Sequence, residues 1–362
     1  MTTMNKIAEL AGVSQATVSR VVNGSGHVSE NVAESVRQAI RKLRYQPRGR
    51  GKATKSANEG PFPNGGVIAL VMLDDSMDCH PTLALAKLRG VETAAASEGL
   101  TVAVVRQRSG KDLPAALRRQ DLLGMLLWGE RADAKLLRRL QPIPSLWLSS
   151  HADADDQVIL VGNEAAGRLA AEYLLHRGVR HPAFFCPPTR QKQCQLRGNG
   201  FHYACYLAGI HSQIISADSP DCPDSQPFED LDYGGQAGLV EQLVARLLDR
   251  RPMVDGVFIP DDQTTCLAYA AMARKGVRPG VDVAIVSCGN EPVYLRGLTP
   301  RPPTIDLAPE TTGRLAVEQL LRMIRHPDAC ERTCVLVRPR LVPGDGPQPE
   351  ARADGDIKFP GG

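Results

Sequence analysis

Gln15, Ala16 and Arg20 lie within six positions of one another and share a capability: each can read the edge of a DNA base. A glutamine amide bonds adenine in bidentate fashion, an arginine fork bonds guanine O6 and N7, and an alanine packs on the thymine methyl. They can do so only from a short helix that lies in the major groove with its first turn at the bases. The neighbouring residues supply such a helix. Gly12 is the type expected where a preceding helix stops with φ above zero. Ser14 can cap the next helix, starting at Gln15 or Ala16, by accepting from a free backbone N–H. Val18, Val21 and Val22 form an i, i+3, i+4 apolar stripe, and Gln15, Ala16, Ser19, Arg20 and Asn23 point elsewhere. Two short helices joined by such a turn make a helix-turn-helix. The same spacing also suits a helical hairpin whose polar residues merely face water.

The longer stretch from Thr3 to Pro47 resembles the headpiece of the LacI/GalR family of bacterial transcription regulators. It carries Ile7-Ala8, Ala11-Gly12-Val13-Ser14, the run Thr17 to Asn23 (TVSRVVN), His27-Val28-Ser29, and a helix that ends in Leu43-x-Tyr45-x-Pro47. The resemblance implies that Gln15, Ala16 and Arg20 read bases. It implies that Ser14, Thr17, Ser19, Asn23, His27 and Ser29 hold phosphates, contacts that orient a protein on DNA without carrying sequence information. A first helix is expected over residues 4–11. A third follows Ser29 as cap, with Val32, Ala33, Val36, Ala39, Ile40 and Leu43 inward. Three helices this short bury little, so a headpiece of residues 1–46 is expected to be only modestly stable.

Charge is distributed as that reading requires. Residues 1–60 hold ten Lys and Arg against four Glu, a local +6 within an overall +3, so the remainder carries −3. A basic head on a mildly acidic body fits a DNA-binding module joined to something that does not bind DNA. No apolar run approaches the length of a membrane span and no secretory signal pattern opens the chain, which places the expected protein in the cytoplasm. Nine cysteines without a CxxC pair read as reduced thiols rather than a disulfide framework or a metal site.

Residues 47–66 form a Gly-, Pro-, Ser- and Lys-rich stretch without apolar periodicity, expected to be a flexible basic linker. Many relatives place there a hinge helix whose leucine wedges into the minor groove and kinks the duplex. This chain has Arg48, Gly49, Arg50, Gly51, Lys52 and Ala53 instead. Two glycines disfavour a helix by about 2 kcal/mol relative to alanine. Arg48, Arg50 and Lys52 are therefore expected to contact DNA as a loose electrostatic arm; the bland alternative is a solvated linker that happens to be basic.

From residue 67 short apolar runs alternate with helical segments. Strands are expected at 67–73, 101–107, 124–129, 145–150, 157–162, 181–186, 213–218, 256–261 and 282–288, and helices at 83–98, 165–177, 238–249 and 264–275. This alternation predicts α/β structure with right-handed βαβ units and parallel sheets covered on both faces. Nine strands suffice for two sheets, whose carboxyl ends would frame a ligand crevice. The body also resembles the family, through GNEAAGRLAAEYLLHRGVRHPAFF (162–185), RGNGFHYACYLAGI (197–210), GVFIPDDQTTCLAYAAMARKGVRPGVDVAIVSCGNEP (256–292) and VLVRPRLVPGDG (335–346). The implied fold is the helix-turn-helix headpiece followed by two Rossmann-like lobes of the periplasmic-binding-protein type. The effector-binding and dimerisation domain would span 67–342, with a first lobe of about 67–162 plus 293–322 and a second of about 163–292 plus 323–342. The tail, 343–362, has no heptads and is expected to be disordered.

By the same resemblance Arg197, Asp261 and Asn290 bind the effector. Arg197 stands where relatives hold a hydroxyl or carboxylate, and its fixed fork of donors matches vicinal hydroxyls or an anion. Asp261 occupies the position that faces ligand, while Asp262 reads as the cap of the following helix. Two residues depart from the family. Gly162 sits where aspartate is common, and Gly289 replaces an aspartate that grips sugar hydroxyls, a role Asn290 can fill only partly. The expected protein is a homodimeric, sequence-specific transcriptional regulator, most simply a repressor. It would bind a pseudo-palindromic double-stranded operator under control of a small-molecule effector, a sugar or sugar derivative. Loss of effector control is one alternative. An α/β enzyme is another, but GNGFHY at 198–203 fails as a dinucleotide fingerprint, and no P-loop, GxSxG or HExxH occurs. Cys194 or Cys205 beside His202 reads as a chance neighbour. No cofactor is expected.

Overall fold

The computed structural model describes residues 4–15, 17, 18, 21, 30–42, 65–73, 81–107, 114, 117, 121–129, 143–149, 157–216, 226–327 and 333–346. Two compact units result, Met1–Glu59 and Gly60–Gly362. The linker 47–64 and the tail beyond residue 346 lie outside the described residues, and with them the expectations made for both.

In the smaller unit α1 (Met4–Ala11) and α2 (Glu30–Lys42) flank helical backbone at Gln15, Thr17, Val18 and Val21. Ile7, Val18 and Val36 are fully buried, and Ala8, Ala33 and Ala39 nearly so. That stripe follows the helical period of the sequence, so each helix turns one small apolar face inward.

The larger unit contains two six-stranded sheets. The first is built from β1 (Val67–Leu73), β2 (Thr101–Gln107), β3 (Leu122–Trp128), β4 (Ser145–Ser149), β5 (Val158–Val161) and β11 (Cys334–Val337). Its order is β11-β5-β4-β3-β1-β2, parallel throughout. All seven residues of β1 are buried, because this central strand is covered on both faces. Ile68 and Leu70 join one core with Val91, Ala95, Ala316 and Leu320, whereas Ala69, Val71 and Leu73 join another with Val105, Met125 and Leu127. The two-residue period of the strand divides the cores.

The second sheet comprises β6 (Pro182–Phe185), β7 (Gln213–Ile215), β8 (Gly256–Phe258), β9 (Ala284–Cys288), β10 (Thr304–Asp306) and β12 (Arg340–Val342), in the order β12-β10-β9-β8-β6-β7. Only the β10–β12 pair is antiparallel among these ladders. The sheets repeat one plan, each with its second strand at one edge and its last at the other. The chain crosses between them at 161–163, 306–309 and 337–340. Thr304–Asp306 belongs to the second sheet, and both the helix over 309–325 and β11 belong with the first. The lobe boundaries expected at 292/293 and 322/323 therefore move to 306–309 and 337–340.

Helices α3 (Pro81–Ser97), α4 (Asn163–His176), α5 (Lys192–Leu207), α6 (Tyr233–Asp249), α7 (Asp262–Arg274), α8 (Pro292–Leu295) and α9 (Pro309–Arg325) complete the unit. α3 packs on α9 and α4 on α5, and both contacts are made through glycine. A β-carbon at Gly90 would stand 2.0 Å from the Glu310 carbonyl oxygen, and one at Gly313 would stand 2.1 Å from that of Lys87. The second pair repeats this at Gly200 with Glu164 O, 2.0 Å, and Gly167 with Arg197 O, 1.9 Å. Backbone against backbone leaves nothing flexible to give way.

Alanine in a helix interior ordinarily gains about 1 kcal/mol over glycine. At Gly90 the clash should reverse the sign, with Gly90→Ala destabilising the chain by about 1–3 kcal/mol or more. Gly238 in α6 has nothing within 4 Å of its missing β-carbon, so Gly238→Ala should stabilise. Thermal unfolding of the two variants checks this, and a Gly90→Ala protein that melts above its parent would refute the packing argument.

Candidate DNA interface and effector cleft

In the smaller unit the turn forms as the residue types require. Gly12 has φ +66°, and Val13 N reaches Ala8 O at 3.0 Å, closing α1. The Ser14 hydroxyl accepts from Thr17 N at 3.1 Å and shares a 2.9 Å hydrogen bond with the Thr17 hydroxyl. Ser14 is thus the cap of the second helix. Val18 anchors that helix in the core while Ser14 and Gln15 are exposed and Thr17 is half-buried. Ala16, Ser19, Arg20, Asn23, His27, Ser29, Arg48, Arg50 and Lys52 lie outside the described residues.

In the larger unit Arg197 stands on α5 and is 5% exposed. Its Nε donates to Asn163 Oδ1 at 3.0 Å and its Nη1 to the Pro260 carbonyl at 2.5 Å. Asn163 opens α4, and Pro260 follows β8, so the guanidinium ties together carboxyl ends of the framework. Burial opposes its charge, but Cys288, Cys194, Asp261 and Asp262 around it more than offset that, leaving its pKa above the ordinary value. The Nδ2 of Asn163 is buried and has no partner among the described residues. Because Oδ1 accepts from Arg197, the amide orientation is fixed and Nδ2 is a spare donor.

The adjacent aspartates exchange the roles read from the sequence. Asp261, not Asp262, caps α7, its carboxylate accepting from Thr264 N at 2.6 Å. Asp262 is fully buried. It accepts from Ser287 Oγ, from Glu291 N at 2.6 Å and from Thr304 Oγ1 at 3.1 Å. The strand ends so that Asp261 keeps extended geometry, φ −150° and ψ 155°, and the helix begins one residue earlier than a cap at 262 requires. Asp261 also lines a cavity of about 440 Å³ with Cys186, Gln191, Cys194, Gln236 and Gln263. Of the three effector residues expected from sequence, it alone lines that cavity. Asn290 is half-buried with φ +56°, and its N–H reaches Thr304 Oγ1 at 3.2 Å.

Two acids here do more than the sequence suggests: Asp262 reads there only as a helix cap, and Glu291 carries no signal. Burial pushes Asp262 up to about 6, outweighing its three hydrogen bonds, with Asp261 adding to the rise. Burial pushes Glu291 up to about 7, helped by Asp262 and Asp261 and opposed by a hydrogen bond with Thr82 at the start of α3. Glu291 is 1% exposed. Its contact with Thr82 joins an element of one lobe to an element of the other. Gly289, at φ +133°, would carry a β-carbon 2.9 Å from Asp262 Oδ2 and 3.2 Å from Glu291 Oε1. The aspartate of relatives therefore has no room beside this acidic pair.

The enzyme reading finds no activated nucleophile here. GNGFHY lies inside α5 rather than ahead of a helix, so its glycines pack helices and form no phosphate loop. Burial pushes Cys205 up to about 12, and His202, lowered by burial, shares a 2.7 Å hydrogen bond with Ser212. A hydrogen bond with Cys194, then burial, raises Cys186 well above the ordinary thiol, the opposite of what a nucleophilic cysteine needs. The six described cysteines, 186, 194, 205, 266, 288 and 334, are free thiols. Among the described residues no group of three His, Cys, Asp or Glu side chains is placed to hold a metal.

Comparison with known proteins agrees with these features. Residues 3–48 match the family described as bacterial regulatory proteins, lacI family, and residues 171–346 match the periplasmic binding protein-like domain. The chain is 30% identical over 334 residues to the HTH-type transcriptional regulator GntR of Pseudomonas aeruginosa, covering 89% of each protein. It is 28% identical over 329 residues to the ribose operon repressor of Halalkalibacterium halodurans, covering 90% of this chain and 91% of that one. Among solved structures, a lac repressor dimer bound to operator and the anti-inducer ONPF superposes with a TM-score of 0.65 at 21% identity, covering 95% of this chain and 98% of that one. That likeness concerns the fold.

Glu291 and Asp262 make the larger unit sensitive to pH. Between about pH 4.3, the ordinary glutamate value, and about 7, the folded chain keeps on Glu291 a proton that the unfolded chain has lost. Stability from this group therefore falls as pH rises through that window. Glu291→Gln should remove the loss, so its stability relative to the parent should rise from about pH 5 to about pH 7. Urea unfolding at the two pH values measures it; a constant difference would discard the assignment.

The turn and cap of the first unit, the two-lobed α/β body of the second and the 30% identity to a full-length regulator lead to one conclusion: the chain belongs to the lacI family of bacterial regulatory proteins and is a DNA-binding, effector-controlled transcriptional regulator rather than an enzyme.

Proposed function

We propose that the protein is a cytoplasmic repressor that binds a pseudo-palindromic operator as a homodimer, one headpiece per half-site. The observation that carries this reading is the Ser14-capped helix start, with Val18 buried and Gln15 exposed, which turns the first helical residues outward. Gln15, Ala16 and Arg20 then read base edges, while Ser14, Thr17, Ser19, Asn23, His27 and Ser29 hold phosphates. Arg48, Arg50 and Lys52 add sequence-independent attraction. Residues 1–46 are the headpiece, 47–66 the linker and 67–342 the effector-binding and dimerisation domain. A single headpiece offers too few contacts for tight binding at cellular salt, which is the physical reason for a dimer.

The effector is a sugar or sugar derivative held between the lobes by Arg197 and Asp261, with Asn290 beside them. Its binding closes the lobes and shifts the dimer between states of different headpiece spacing. Operator and effector must then change each other's affinity by the same factor.

Selection of bound sequences from random duplexes tests the DNA reading directly, and failure to enrich a two-fold related site would end it. On the selected operator Arg20→Ala should cost about 1–3 kcal/mol and relax the preference at one base position, whereas Lys52→Ala should weaken all duplexes alike and flatten the salt dependence. Equal loss on every duplex for Arg20→Ala would remove Arg20 from the readers. Arg197→Ala should leave operator affinity intact and abolish the response to sugars. Unchanged responsiveness would take Arg197 out of the effector site.

A further inference from the structure

The glycine contacts of the two helix pairs place α3 and α5 in equivalent positions in their lobes. Gly90 and Gly200 each receive a carbonyl from the opposing helix, and three residues earlier Lys87 and Arg197 each lend their own carbonyl to a glycine of that helix, Gly313 and Gly167. Each of α3 and α5 follows the second strand from the edge of its sheet, β1 or β6, and each long basic side chain turns toward the next strand inward. Arg197 reaches Pro260 beyond the end of β8. Lys87 places its Nζ 4.2 Å from the ring centroid of Trp128, the last residue of β3. Lys87 is thus the first lobe's counterpart of Arg197.

No acid among the described residues balances its charge. Among the described residues no carboxylate lies within 4 Å of Nζ, and its partner is the Trp128 ring. A ring face stabilises an ammonium weakly compared with an ion pair. Lys87 is half-buried, and the burial of its ammonium lowers its pKa to about 8. The spare Nδ2 donor of Asn163 stands beside Arg197 in the other lobe. An ammonium without a described counter-charge, the donor fork of Arg197 and an unused amide donor are what an anionic acceptor would satisfy, while Asp261 accepts from hydroxyls.

We propose, building on the effector site described above, that the effector is a small polyhydroxy acid whose carboxylate is received between Lys87 of the first lobe and Arg197, with the Asn163 amide, of the second. Lys87 selects acid over neutral sugar, and closure of the lobes brings both cations to one carboxylate. A neutral sugar gives Lys87 no counter-charge.

The full-length protein is titrated with D-ribonate and D-gluconate, and with ribitol and D-glucitol, which keep the hydroxyls and replace the carboxylate by CH2OH. Calorimetry and thermal shift should show the acids binding at least about tenfold more tightly than the alditols, the scale of one charge-assisted hydrogen bond. Lys87→Met, which keeps an apolar stem over Trp128, should lose about that factor for the acids and nothing for the alditols, and Lys87→Arg should restore it. Equal affinity for acids and alditols, or full acid affinity in Lys87→Met, would overturn the inference. If Lys87→Met does not fold, the ratio in the parent and its retention in Lys87→Arg decide. Neutral ribose that binds through Arg197 while the acids do not would sink the anion and leave the cleft standing; if no member of the series binds, both readings fall.

Discussion

Two pairs of helices cross so closely that no side chain fits between them, and the larger unit is arranged around those crossings. Packing through ordinary side chains keeps helix axes about 8–10 Å apart. Glycine on both members of a pair brings a carbonyl of each helix to within about 2 Å of where the other's β-carbon would be. α3 and α9 cover one face of the first sheet through Val91, Ala95, Ala316 and Leu320. α4 and α5 cover one face of the second through Ala166, Ala170, Phe201 and Ala204. Close approach fixes rotation as well as distance, because turning either helix drives a backbone oxygen into its neighbour. The directions in which Lys87 and Arg197 leave their helices are set by contacts neither side chain makes.

Charge is arranged on that frame by competition between desolvation and compensation. A guanidinium at 5% exposure loses hydration worth several kcal/mol, and is tolerated only with good hydrogen bonds and counter-charge nearby. Arg197 has both, and its protonated form is favoured. Asp262 shows the opposite balance. Three donors favour its anion, yet burial and the neighbouring Asp261 prevail and its pKa rises to about 6. Asp262 and Glu291 therefore hold a proton more readily than free carboxyls do. That moderates the negative charge of the cleft and lessens its repulsion of an anion.

Much of this was legible in the sequence, and the exceptions share causes. VIALVML could be read as a strand because a short, continuous apolar run bounded by turn residues suits a strand covered on both faces. The Gly12 and Ser14 signals carried their mechanism with them. Thr304–Asp306 and Arg340–Val342 are three-residue strands with polar members, too short for a period to register. α5 was hidden because its inward side is Cys194, Gly198, Phe201, Ala204 and Cys205 among exposed tyrosines and glutamines, so small residues stood in for a hydrophobic stripe. The exchange of Asp261 and Asp262 had no local signal. Both are acids at a strand-to-helix junction, and only the residue at which the helix starts decides which becomes the cap. Lys87 was equally silent, since its significance lies in a relation between two helices about a hundred positions apart.

Gly162, where relatives carry an aspartate, finds its reason at the crossings between the lobes. Its N–H donates to Val337 O at 3.0 Å, and a β-carbon there would meet Pro339 Cδ at 2.8 Å and Val337 O at 3.0 Å. The first crossing is thereby held against the third. The second is held to the third by Arg340, which reaches Asp306 at 2.9 Å, while Asp306 also accepts from the N–H of Ala308 at 2.8 Å. Ala308 adopts φ +51°, a left-handed conformation that costs a non-glycine residue about 1 kcal/mol. Any rotation of one lobe against the other has to be absorbed within these few residues, because the strands and helices on either side are packed to full density. An aspartate at 162 would push the first and third crossings apart. In this chain the small residue and the Asp306–Arg340 pair keep three strands of backbone bundled where the lobes join.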